Sequence, residues 1–129
     1  LRVTAEQRFI IEEIGHMVGG VLTYLEAAVT DKRQFQALKY SFSNRIYDSR
    51  KTILAPTQAK NKCSNKDMQE LCQKECNGMK DDIRLHLSAA ITSPRQLEAL
   101  SMLISNRLDK TKEAFVTYFS KDEEREKNV

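Results

Sequence analysis

The sequence predicts an all-α domain, a four-helix up-down-up-down bundle made of two tandem helical hairpins. Three observations predict it. Apolar residues recur at three- and four-residue spacing along most of the 129 residues. Four Gly and two Pro are too few to punctuate many turns, so the helices should be long. Finally, residues 21 to 53 align without gaps to residues 83 to 115, an offset of 62, with eleven of 33 positions identical. Average residue usage would give about two. Many of the differing pairs are conservative, such as Val21 with Ile83, Phe42 with Ile104 and Ile46 with Leu108. The same offset pairs Gln7 with Gln69, Glu13 with Glu75 and Met17 with Met79, so an internal repeat with units of about 4–54 and 64–120 is expected.

Taken in order, Thr4 and Gln7 form a capping box that opens a first helix with Ile10, Ile14, Met17, Val21, Leu25 and Ala28 on one face. The chain should break at Thr30 and restart at once. Asp31 is an N-cap residue, and Gln34, three positions later, is placed to reach back to the cap N–H. The second helix carries Phe35, Leu38, Phe42, Ile46 and Ile53 and is expected to stop before Pro56, ahead of a polar linker at about 55–63. A third helix starts at Ser64 or Asn65 and buries Leu71, Met79, Ile83, Leu87 and Ala90. Ser93 and Gln96 repeat the cap chemistry at the second turn, with Pro94 at the first helical position, where its missing N–H costs nothing. The fourth helix buries Leu97, Leu100, Ile104, Leu108, Phe115 and Tyr118, and its charged end from Lys121 to Val129 is expected to fray.

Helices of about 25 residues would each be about 37 Å long. Each hairpin has an apolar stripe that it cannot cover alone, so packing the two face to face closes one core in a single domain, 1–129. A splayed chain that buries its stripes in a homodimer is the alternative.

A net charge of +3, with Lys and Arg mixed among Asp and Glu, makes no electrostatic footprint for nucleic acid. No apolar run reaches the length of a membrane span. The chain begins at Leu1, so the lack of a leader decides nothing about compartment, and an extracytoplasmic setting is slightly favoured.

Arg33 with Arg95, and Asn44-Arg45 with Asn106-Arg107, recur at the 62-residue offset. Projected at 100° per residue, Arg45 falls at the edge of the buried stripe. Counting outward from each turn brings Arg45 level with Glu13 and Arg107 level with Glu75. One ion pair per hairpin is therefore expected, and the alternative is that the two Arg face each other and hold an anion or carboxylate ligand.

Cys63, Cys72 and Cys76 cluster at the linker and the third helix. At the 62-residue offset Cys72 and Cys76 match Ile10 and Ile14, which reads as small buried hydrophobes. A disulfide from Cys63 to either one is the second reading, and it would imply an oxidising compartment. The third takes Cys72, Cys76 and Met79 as a soft-metal face, although zinc-type spacing is absent, and no metal or cofactor is assigned. His16 and His86 are not equivalent at the offset and have no nucleophile in a recognisable motif. There is no phosphate loop and no H-E-x-x-H, and Gly19-Gly20 reads as a close-approach or kink site. The expectation is a non-catalytic domain that engages a protein partner through its helical surface. The alternatives are an extracytoplasmic ligand-sensing bundle of a receptor, or a thiol or metal protein using the three Cys.

Overall fold

Capping chemistry sets where each helix starts. The computed structural model describes residues 2–58 and 63–127, with side chains through Lys121. Thr4 stands in extended conformation ahead of α1 (Ala5–Ala28); its Oγ1 accepts from the Gln7 N–H and the Gln7 Oε1 accepts from the Thr4 N–H, both at 3.1 Å, the full box expected. Asp31 caps α2 (Lys32–Gln58), Ser64 caps α3 (Asn65–Ala90) and Ser93 caps α4 (Pro94–Lys127), each accepting an N–H from three residues on.

Gln34 and Gln96 do not reach back to their caps as the sequence suggests. They reach across. Gln34 Nε2 donates to the Ala90 carbonyl at 2.6 Å, and Gln96 Nε2 donates to the Ala28 carbonyl at 2.8 Å. These carbonyls end α3 and α1, where no further helical N–H can satisfy them, so each glutamine amide finds an otherwise unserved acceptor on the other hairpin. Gln34→Ala and Gln96→Ala are each expected to cost about 1 kcal/mol in urea unfolding, and the double variant about the sum. Losses of only a few tenths would mean that water replaces both bonds.

Helix α2 also departs from expectation by running through Pro56 to Gln58. A proline removes one helical N–H, here the one that would serve the Thr52 carbonyl, and Pro56 stands only two residues before the helix ends. The last turn is held from outside the ladder. Thr57 Oγ1 donates to the Leu54 carbonyl at 2.6 Å and accepts from Gln7 Nε2 of α1 at 3.1 Å. The first residues of the expected linker are thus helical, and 59–62 lie outside the described residues. Helix α4 continues to Lys127, through most of the segment expected to fray.

The four helices form a ring in which each packs on two neighbours, α1 on α2, α2 on α3, α3 on α4 and α4 on α1, as an up-down-up-down bundle requires. Both turns lie at one end. Positions 62 apart fill the core in pairs: Ile10 and Cys72, Ile14 and Cys76, Met17 and Met79, Leu25 and Leu87, Leu38 and Leu100, Ile53 and Phe115. Each fully buried aliphatic or aromatic side chain contributes about 1.5–3 kcal/mol. Val18, Met68 and Phe119 join the core beyond the expected set, while Phe35, Leu71, Leu97, Tyr118, Ala28 and Ala90 pack at its edge. Phe119 closes the end opposite the turns with Phe9, Phe115 and Tyr118; the Phe9 and Tyr118 rings stack at 4.2 Å.

Candidate interaction site

The repeated Arg residues do not pair as counted from the turns. Arg45 leaves its own hairpin and bridges α2 to α3, donating from Nε to Asp82 Oδ2 at 2.5 Å and from Nη1 to Ser49 Oγ at 2.6 Å. Ser49, fully buried, donates its own hydroxyl hydrogen bond to Glu75 Oε1 at 2.9 Å. The expected Glu13 with Arg45 and Glu75 with Arg107 pairs are therefore not formed. The error was one of direction. Arg45 projects from the α3 side of its stripe, so it meets α3 rather than α1.

Arg107 likewise bridges between hairpins, from α4 to α1. Its Nη1 donates to the buried Thr111 Oγ1 at 3.0 Å, and its side chain lies over Gly20, where a Cβ would come within 2.8 Å of Nε. Arg45 lies over Gly78 in a similar way, 2.9 Å from where a Cβ would stand. The two guanidiniums occupy different seams on opposite sides of the ring, so they cannot share an anion. Arg33 and Arg95 stay exposed beside the turns.

All three cysteines are free thiols. Cys63 is exposed, whereas Cys72 and Cys76 point into the core at 0 % exposure, in the places of Ile10 and Ile14. Burial is the main cause that pushes both buried thiols up from an ordinary 9.0 to about 12. A disulfide with Cys63 is corrected by this division: two thiols are committed to the core and the third faces outward. Met79, the last of the soft-ligand face, is equally buried.

The seam between α3 and α4 carries a polar belt. Lys80 Nζ lies 2.9 Å and Lys112 Nζ 3.5 Å from Asp109 Oδ1. Burial alone would push the Asp109 carboxyl up, but the hydrogen bond and charge of Lys80, followed by those of Lys112, outweigh it and hold the group below its ordinary range. That contribution is present above the usual carboxylate range and is lost as pH falls through the lowered value. Above the belt, a crevice of about 110 Å³ is lined in part by Lys80, Arg84, Ser101 and Ser105. The Ser101 hydroxyl is buried there without a partner.

The outer surface is uneven. Tyr40, Leu85 and Met102 are 71 %, 67 % and 58 % exposed on α2, α3 and α4, and Leu103 and Tyr24 are also open. All five lie within about ten residues of a turn, hence within about 15 Å of one end of the bundle.

No known family, curated protein or solved structure matches the chain. Glu13 and the three Cys, singled out by the sequence, are not brought together into a site. Asp82, Ser49 and Thr111 were missed, although Ser49 and Thr111 were legible as hydroxyls four residues after each repeated Arg, where a helix places them on the same face.

Proposed function

We propose that this domain is a non-catalytic binding module that engages a protein partner through the turn-proximal half of its surface. The observation that carries the reading is that five of the eight large apolar side chains exposed among the described residues, Tyr24, Tyr40, Leu85, Met102 and Leu103, lie towards one end, while Val3, Ile11 and Tyr47 stand further from the turns. Single exposed apolar residues are ordinary, but a larger share of them towards one end supports a contact surface there. The centre of the bundle is filled by its own side chains, so recognition falls to the outside. We also read the two hairpins as a tandem duplication, supported by the paired core positions and by the reciprocal glutamine bonds. The thiol reading loses support because Cys72 and Cys76 lie in the core.

The test is site-specific photo-crosslinking in native extract, with the reactive residue at Leu85 or at Tyr47, which lies further from the turns. A defined protein adduct at Leu85, lost when Met102 becomes Glu and absent at Tyr47, is the expected result. Equal labelling at both positions would remove the reading. A small-ligand sensing domain is the second reading, favoured by the α3/α4 crevice with its unpartnered Ser101 hydroxyl. A melting temperature raised by a small anion and insensitive to Leu85→Glu would favour it instead.

A further inference from the structure

The two seams between hairpins make an internal comparison. At the α2/α3 seam Arg45 is satisfied by Asp82, and through Ser49 it is joined to Glu75. At the α4/α1 seam the position matching Asp82 is Gly20, and Arg107 leans over it. Among the described residues no carboxylate lies within ion-pair distance of Arg107, whose one side-chain bond is to Thr111. Glu13, the counterpart of Glu75, stands on the same seam about two turns from Gly20, without the bond that Glu75 receives from Ser49. His16, one turn before Gly20, is exposed. A partly buried guanidinium with most of its donors unused is a costly arrangement unless something supplies the missing acceptor.

What flanks Arg107 also differs between seams. Tyr24 is one turn beyond Gly20 on α1, and Leu103 is one turn before Arg107 on the antiparallel α4, which brings them to the same height. Tyr24 is 36 % and Leu103 46 % exposed. Their counterparts on the other seam are His86, whose ring lies 6.4 Å from Phe42, and Ser41. So one seam is closed by its own acid and polar neighbours, while the other offers an unpaired cation one turn below two open apolar side chains. Tyr and Arg are among the residue types enriched at the anchoring positions of interfaces.

Resting on the protein-binding reading above, we infer that the α4/α1 seam receives an acidic side chain of a partner helix. Arg107 takes the carboxylate that Asp82 supplies to Arg45, and Tyr24 and Leu103 cover the aliphatic residues beside it. A free small anion would satisfy Arg107 but leave both apolar flanks exposed, so the seam fits an Asp or Glu carried on an amphipathic segment.

The test uses three probes: a synthetic amphipathic helical peptide with a central Glu between Leu residues, the same peptide with Gln, and sodium acetate. Each is titrated into the whole chain while the amide resonances of Gly20, Tyr24, Leu103 and Arg107 are followed. The Glu peptide is expected to bind at least tenfold more tightly than the Gln peptide, with Arg107→Gln abolishing the difference. As an independent readout, Gly20→Asp should melt higher than Gly20→Asn and should block the peptide, because it restores the acid of the other seam. Equal melting of those two variants would show Arg107 already satisfied and overturn the inference. Binding that ignores Glu and perturbs Leu85 and Met102 instead would overturn it while leaving the binding-module reading intact. Acetate shifting the same amides as strongly as the peptide would overturn it in favour of a free-anion site, and silence at the seam with all three probes would also overturn it.

Discussion

Iodoacetamide at pH 8 is expected to modify Cys63 in the folded protein and to leave Cys72 and Cys76 unmodified until the chain unfolds. The thiolate is the reacting species. A thiol whose pKa is pushed up to about 12 is ionised to about one part in ten thousand at that pH. Cys72 and Cys76 should therefore react very slowly, both because so little thiolate forms and because their side chains are inaccessible, whereas Cys63 is exposed. Intact mass after timed quenching reads the result: one adduct in native buffer, three in denaturant. Rapid native modification of Cys72 or Cys76 would contradict their burial and reopen a thiol role for the third helix.

Replacing Phe115 with Ala is expected to remove about 3–5 kcal/mol from the unfolding free energy, read as a lower urea midpoint at unchanged slope. The ring is fully buried and meets Phe9 edge-on at 6.0 Å, so truncation leaves a cavity and also breaks an aromatic contact. Domains of this size are stable by only about 5–15 kcal/mol, so a large share of the total rides on one side chain. Tyr40→Ala is the control. Its ring is mostly in solvent, and the change should stay within about 0.5 kcal/mol. A small loss at Phe115 would mean that Phe119 and Tyr118 collapse into the space.

Much of this fold was legible because its signals are local. Thr4 and Ser64 announce α1 and α3, and the stripes from Ile10 to Leu25 and from Leu97 to Phe115 show which faces turn inward. Pro56 misled because a proline near the end of a helix costs a single hydrogen bond, and the Thr57 to Gln7 contact that secures that turn spans the whole hairpin. The glutamines misled for a similar reason. Their residue type and spacing suit a local cap, but the competing acceptors sit 56 and 68 residues away along the chain, beyond any local rule. The Arg residues were placed at the right depth and given the wrong neighbour. Helical projection fixes how far a side chain stands from the core, whereas its partner depends on which helix flanks that side, and that is a property of the assembled ring. The contrast between Asp82 and Gly20 stands at the same 62-residue offset, one position before the aligned stretch, but it acquires meaning only once both Arg residues are seen to cross between hairpins.

The reciprocal bonds of Gln34 and Gln96 bear on how the molecule comes apart. Each hairpin lends the donor that finishes the other's leading helix, so lifting either one away strips a terminal carbonyl in the half that stays behind. Protection of the amides near Ala28 and Ala90 against hydrogen exchange should then be lost together, in one opening event, even though the chain folds as two hairpins that would otherwise be free to loosen in turn.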